Sequence, residues 1–415
     1  MQMQRYFDDV AAGVEAKLAE AGPDDLVARK VLALETARLG SRLFSGSETV
    51  AWCGVLAPFD LLHALGVTSC FVEFVGATLA LTGGTTPLLE AAEQAGFATD
   101  SCSYHRAVMG AALGGLMPKP DLVIATSAPC TGGLAVVANL AAHFQAGLFV
   151  VNVPHARDEA AVEYLAGQLR VMVDFVTERT GRPLDGDRLA VAMERTNRAR
   201  AALGEAYRLA ATVPTPARRR DLVNLGLVAP LSFGTEAGVR IAETFRDELA
   251  RKVREGVAGV PGERLRLLWL QNRVQFRSPI EELLEERYGA AVVADELNTV
   301  TWLPIDPGDP FTGLARRALA LPLVGPVERR LELLTQMAAD YRVDGAINPC
   351  HWGCRQGTGA RGLVEAGLRE AGIPVLNLEV DCLDERSFSE GQVRTRLEAF
   401  MEMLASRPRR PAAEA

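Results

Sequence analysis

A chain of 415 residues with 48% hydrophobic and 23% charged side chains is long enough for two or three domains and too apolar to be disordered. Its formal net charge of −8 excludes nucleic acid as the main partner, because phosphate backbones are gripped by basic surfaces. Aromatics make up only 6% while Ala and Leu abound, which favours helix.

In chain order, residues 1–47 predict a helical leader. Arg5, Asp8 and Asp9 interrupt the apolar run that a signal peptide requires. No stretch of ~20 apolar residues able to span a membrane follows, so a cytoplasmic protein without membrane contact is expected. Residues 48–155 carry short β-rich runs at 49–53 (TVAWC), 70–74, 122–126 (LVIAT) and 148–153 (LFVVNV). They alternate with helical patterns, as parallel strands joined by crossover helices do. Residues 156–260 read as a connecting segment that is helical almost throughout, with apolar residues three and four apart in VEYLAGQLRVMVDFV. Within it, Arg218, Arg219 and Arg220 suggest a solvated helix face or a subunit contact, with an acidic ligand as the alternative.

A turn at Val260-Pro261-Gly262 opens a second α/β domain over 261–405, with strand-like runs at 265–270, 291–294, 345–348 and 375–380. The fold class is therefore α/β: two Rossmann-like parallel-sheet domains with a helical leader and a helical connecting segment. Residues 406–415 read as a flexible tail.

The seven cysteines are Cys53, Cys70, Cys102, Cys130, Cys350, Cys354 and Cys382. In a reducing compartment they stay unpaired, and any one of them can be a small buried hydrophobe. Three stand out by their place, because ligands of open parallel sheets bind beyond the carboxyl ends of the strands. Cys130 follows LVIAT in the loop SAPCTGG, ahead of the apolar run LAVVANLAAHF. Glycines and a helix amino terminus there offer backbone N–H groups to an anion or to cluster sulfides. Cys354 follows GAIN in the loop PCHWGCRQGTG, again before a helical run. Cys102 lies in TDSCSYHRAVMG, where Asp100 or Ser101 is the expected helix cap. Thiolates suit zinc or iron–sulfur clusters. No paired C-x2-C favours zinc, and the nearest spacing is Cys350-x3-Cys354.

The stretch INPCHWGCRQGTGARGLVEAGLREAGIPVLNLEVDCLDERSFSEGQVRTRLEAFMEML resembles the carboxy-terminal signature of the 2-hydroxyacyl-CoA dehydratase and benzoyl-CoA reductase family. That signature has a cysteine after a strand (Cys354), a helix, GIP (372–374), an L-E-x-D strand (378–381), a D-x-R loop (384–386) and a GQxxTRLEAF helix (391–400). AWCGVLAPFDLLHALG, SCSYHRAVMG and DLVIATSAPCTGG are similar to the family's strand–Pro–helix opening and its first two cysteine loops. The resemblance covers roughly residues 48–405.

This resemblance implies a cubane [4Fe-4S] cluster bound by Cys102, Cys130 and Cys354, with one iron open. Cys350 is the substitute for Cys354, which is preferred because a basic residue and a helix follow it. Cys350 with Cys53 or Cys382 could instead serve a larger double-cubane cluster. The resemblance also implies a CoA thioester substrate, a ketyl radical that expels a 2-hydroxyl group, and a separate ATP-hydrolysing activator protein. The chain itself has no G-x-x-x-x-G-K-[ST] phosphate loop. A paralogous second subunit in a heterodimer is implied, with a homodimer as the alternative. A benzoyl-CoA reductase-type subunit and a homodimeric double-cubane reductase of small molecules share the same motifs.

His105 and His351, each within three residues of an implied ligand, are candidates for proton transfer or for hydrogen bonds to cluster sulfur. Glu379 and Asp381 read as caps of the next helix, and His63 and His143 as structural. Ser127 and Thr131 line a pocket or cap a helix. A dinucleotide-binding reading has one G-x-G-x-x-G, GTGARG at 357–362, which begins too far past the strand GAIN for a tight strand-to-helix turn.

Overall fold

The computed structural model describes residues 2–407 except 23–24, 82, 223–224, 227 and 301. Residues 408–415 of the expected tail lie outside the described residues.

Among the described residues, eight strands form two four-stranded parallel sheets. The first holds β1 (Val50–Cys53), β2 (Thr68–Phe71), β3 (Leu122–Thr126) and β4 (Gly147–Val151), in the order β2-β1-β3-β4. The second holds β5 (Leu265–Trp269), β6 (Ala290–Asp295), β7 (Gly345–Asn348) and β8 (Val375–Asn377), in the order β6-β5-β7-β8. The two orders are the same. Every residue of β1, β3, β5 and β7 is buried, which is why these strands read as mainly apolar runs, broken only by Arg266, Thr126 and Asn348, rather than as alternation. Trp52 and Trp269, on the central strands β1 and β5, are among the largest fully buried side chains.

Strand ends depart furthest from the sequence reading at 70–74 and 375–380, for one reason. The run 70–74 does not continue as a strand: β2 stops at Phe71 and the helix Val72–Leu81 starts at once. Strand β2 pairs with β1 from Val50↔Thr68 to Cys53↔Phe71, and β1 ends there. Beyond that point a helix is what satisfies the backbone of an apolar chain. Likewise β8 ends at Asn377, level with the last residue of its partner β7. Only the Leu378 N–H goes on, donating to the Asn348 carbonyl (2.7 Å).

The leader forms helices Gln2–Ala19 and Ala28–Leu43, packed on each other. Val27 offers no capping side chain, so Glu248 reaches over from the helix Glu236–Glu255 and accepts the Val27 and Ala28 N–H groups. Long helices Glu159–Thr180 and Gly186–Ala210 precede that helix. The stretch 211–235 between them is not helical throughout. Its described residues include only the short turns Arg219–Leu222 and Ala229–Ser232, because Pro214, Pro216 and Pro230 withhold donors.

The arginine cluster is not a solvated face either. Arg218 Nε donates to the Gly259 carbonyl (2.8 Å), Arg219 stacks over the Trp269 ring, and only Arg220 is exposed. The glycines of GTGARG lie in or beside the helices Arg355–Gly359 and Arg361–Glu370, away from any strand-to-helix turn. No described helix is long and apolar enough to cross a membrane.

The two α/β halves share packing. Ala80, Leu89, Tyr104 and Ala107 of the first half join Trp269, Ile347 and Leu378 of the second in one apolar cluster. Beside it Glu93 accepts from Arg386 (2.6 Å) and from Arg106.

Candidate functional site

Cys102, Cys130 and Cys354 each stand at the N-cap of a helix. Cys130 precedes Thr131–Phe144, and its Sγ accepts from the Gly133 N–H at 3.2 Å. Cys354 precedes Arg355–Gly359, and its Sγ accepts from the Gly357 N–H at 3.3 Å. Cys102 precedes Ser103–Leu113, where its carbonyl accepts from the His105 and Arg106 N–H groups. The expected caps of that helix are used elsewhere. Asp100 pairs with Arg355 across the domains (3.3 Å), and Ser101 Oγ donates to the Ala98 carbonyl (2.6 Å). The Cys102 side chain makes no capping hydrogen bond of the kind seen at Cys130 and Cys354.

All three cysteines line one cavity of about 530 Å³ between the two domains. Burial pushes the Cys102 and Cys354 thiols up, and the nearby Cys354 adds to the rise at Cys102. Burial takes Cys130 to about 11, against the Gly133 N–H that pulls it down. Thiols so desolvated keep their protons until a cation compensates the thiolate charge.

Glycines stand next to two of the sulfurs, within ordinary contact distance. A Cβ at Gly133 would lie 3.5 Å from Cys130 Sγ, and one at Gly357 would lie 3.4 Å from Cys354 Sγ. Among the described residues no three His, Cys, Asp or Glu side chains come close enough together to hold one metal ion. Three soft donors spread round a cavity, with backbone N–H groups behind two of them, suit a cluster whose irons sit at separate corners.

The remaining cysteines point elsewhere. Cys53 and Cys70 lie in the paired strands β1 and β2 and are buried. Cys350 is buried, with φ +26, and its Sγ donates to Asn377 Oδ1 (3.3 Å) rather than facing the cavity. Cys382 is fully buried; burial, then the Asp381 charge, then the nearby Cys354 and Cys102 push its thiol up.

The two histidines occupy different positions. His351 is buried and does not line the cavity. Its Nδ1 accepts the Cys382 N–H (3.1 Å), so the ring proton sits on Nε2, 3.4 Å from Cys102 Sγ. Burial lowers its pKa and keeps the ring neutral. His105 does line the cavity, and its Nε2 lies 3.4 Å from Glu73 Oε1.

Glu73 escapes a motif-based reading, yet it is the only acidic or basic residue between Asp60 and Glu90, His63 aside. Its second oxygen is buried without a hydrogen-bond partner. Thr131 lines the cavity, whereas Ser127 bonds to the backbone of Val153. Asp381 accepts from Ser103 Oγ (2.6 Å) and from the Leu383 and Asp384 N–H groups, tying the Cys102 helix to the second domain. Glu379 forms a surface pair with Arg361 instead of capping a helix. His63 bonds to the Phe233 carbonyl, and His143 meets Phe144 edge to face.

Residues 55–404 match the family model described as 2-hydroxyglutaryl-CoA dehydratase, D-component. The chain is 25% identical over 390 residues to the alpha subunit of the lactoyl-CoA dehydratase of Anaerotignum propionicum, covering 86% of this chain and 91% of that one. It is 24% identical over 375 residues to the (R)-phenyllactyl-CoA dehydratase alpha subunit of Clostridium sporogenes, covering 87% and 90%. It is 25% identical over 341 residues to a subunit of the benzoyl-CoA reductase of Thauera aromatica, covering 75% and 78%.

Proposed function

The chain belongs to the 2-hydroxyglutaryl-CoA dehydratase D-component family, and on that premise we propose that it is the iron–sulfur subunit of an ATP-activated radical enzyme acting on CoA thioesters. The reaction we assign is dehydration of a 2-hydroxyacyl-CoA to an enoyl-CoA through a ketyl radical. The observation that carries this reading is the convergence of three N-capping cysteines from two domains on one cavity. Cys102, Cys130 and Cys354 would hold a [4Fe-4S] cluster. Such a group, when bound, supplies one-electron transfer and an open Lewis-acidic iron.

The remaining roles belong to the chain. Preference for Cys354 over Cys350 rests on their side chains: one lines the cavity, the other donates to Asn377. His351 is a positioning residue whose Nε2–H is directed at Cys102 Sγ. His105 and Glu73 line the cavity and can hold or pass a proton between Nε2 and Oε1. The largely apolar wall, including Phe71, Phe74 and Phe97, keeps water from a reactive radical.

The relatives are each named as one subunit of an enzyme, which supports a paralogous second subunit; a homodimer is the alternative. A separate ATP-hydrolysing activator would deliver the electron. The 25% identity to a benzoyl-CoA reductase subunit supports a second reading, a dearomatising reductase subunit, which would consume electrons at every turnover. A double-cubane cluster has less support, since Cys53, Cys70, Cys350 and Cys382 do not line the cavity.

The test is iron and acid-labile sulfide per chain after purification without oxygen, with an EPR spectrum on reduction. About four of each supports the reading, and about eight points to the double cubane. No iron after reconstitution overturns it.

A further inference from the structure

We propose that the cavity selects thioesters whose acyl tail is bulky and uncharged, aryl or branched alkyl, and turns away tails that end in a carboxylate. The inference rests on the CoA-thioester reading above and concerns the wall beyond the cysteines. There the lining is aliphatic and aromatic, with Leu165, Leu169, Val300 and Trp302 among its residues. A volume of about 530 Å³ accommodates a substantial acyl group together with part of its thioester arm.

Away from the cysteines the ionised groups of this wall are matched to each other, whereas Glu73 with His105 and Arg273 with Gln275 stand beside the cysteine loops. Asp60 is fully buried on the helix Phe59–Ala64, and its oxygens accept from Arg317 Nη1 (2.7 Å) and Nη2 (3.0 Å). Thr196 Oγ1 adds a third bond to Oδ2 (3.2 Å). The same guanidinium faces the rings of Trp302 and Phe233, so its outer edge is spent on Asp60 and its face on aromatics. Glu296 is held in the same way by Arg330, with Nε on Oε1 (2.5 Å) and Nη2 on Oε2 (2.9 Å). Arg106 is engaged by Glu93. At the rim, Arg355 pairs with Asp100. Arg273 stands beside Tyr104 and Gln275, near the Cys102 helix, with its Nε on Gln275 Oε1 (3.1 Å).

A carboxylate entering the apolar part would therefore be buried without a partner or would have to break a matched ion pair. An aryl or branched tail meets neither cost and removes its own apolar surface from water. This asymmetry is larger than that between two apolar tails of different shape, because an unpaired polar group discriminates more strongly than a missing methylene.

The test uses the anaerobic, cluster-loaded protein without activator or reductant, so that binding is read without turnover. 2-Hydroxy-4-phenylbutanoyl-CoA and 2-hydroxyadipoyl-CoA are titrated calorimetrically. The expected result is binding of the phenyl compound roughly 100-fold tighter. Equal or tighter binding of the adipoyl compound overturns the inference, and so does failure of both to bind.

Adding activator and reductant separates the two levels. Reversed preference with dehydration sinks this inference and leaves the dehydratase reading standing. The expected preference without dehydration does the opposite. The Asp60→Asn variant, which frees the Arg317 charge, should bind the adipoyl compound roughly tenfold better than the wild type does. A folded Asp60→Asn protein with unchanged preference would overturn the part assigned to the pair. The wild-type comparison stands if that variant does not fold.

Discussion

Cys130 and Cys354 hold the same position in the two halves of the molecule. Each follows the third strand of its sheet, β3 or β7, and each caps a helix. Each Sγ accepts the N–H three residues on, Gly133 in one case and Gly357 in the other. Two equivalent loops from separate domains thus face one cavity, and Cys102 adds the third thiol.

Equivalence of position predicts equivalence of effect. Cys130→Ala and Cys354→Ala should lose iron to the same extent, and Cys102→Ala should join them. Cys70→Ala and Cys350→Ala should keep theirs, because these side chains face the sheet core and Asn377. Iron analysis of the five purified variants decides it. Full iron in Cys354→Ala together with loss in Cys350→Ala would transfer the third ligand to Cys350.

The loop carrying Cys354 lies directly on the Cys102 backbone. A Cβ on Gly353 would run into the backbone atoms of Ser101 and Cys102. Gly353→Ala should therefore push the two cysteine loops apart, costing about 1–3 kcal/mol of stability and most of the bound iron. Chemical denaturation and iron content measured on the same preparation check both parts. A variant with wild-type values for each would show that the contact yields without consequence.

His351 acts on Cys102 through one hydrogen bond while a second, from the Cys382 N–H, holds its ring. Replacement by Phe keeps the volume and removes both bonds. Outer-shell partners of this kind are worth roughly 10–100-fold in metal affinity. Iron should leave His351→Phe to a chelator faster than it leaves the wild type. Equal release rates would reduce the histidine to packing.

The Glu93–Arg386–Asp384 cluster joins the domains and titrates in acid. Arg386 hydrogen bonds, aided by Arg106, hold Glu93 below the usual carboxylate range. At Asp384 burial pushes upward, but the Arg386 side-chain and backbone bonds outweigh it and the pKa is again lowered. A carboxyl group with a lowered folded pKa stabilises the fold above its unfolded value, near pH 4, and ceases to do so as pH falls through the folded one. Arg386→Ala should thus cost on the order of 1–2 kcal/mol at pH 7, between an exposed and a buried pair, and progressively less below about pH 4. Urea unfolding of both proteins across pH 3–7 tests it. A difference that does not vary with pH would remove the electrostatic explanation.

Much of this architecture depends on local information. Apolar runs such as LVIAT and GAIN mark strands covered on both faces, and a cysteine followed by glycines and an apolar run marks a helix start beyond a strand. Strand ends are not local. Strand β2 stops at Phe71 because its partner stops at Cys53, which nothing in TSCFVEFV discloses.

The site divides along the same line. Its three cysteine loops can be read from the chain, because strand burial and helix starts depend on near neighbours, although the N-cap of one helix is Cys102 itself rather than the expected Asp100 or Ser101. Their meeting cannot, nor can the direction in which Cys350 turns, the pairing of His105 with Glu73, or that of Asp60 with Arg317 across 257 positions. Those relations arise where two domains pack. Packing there is decided by the fit and charge of many distant residues together rather than by any short run of them.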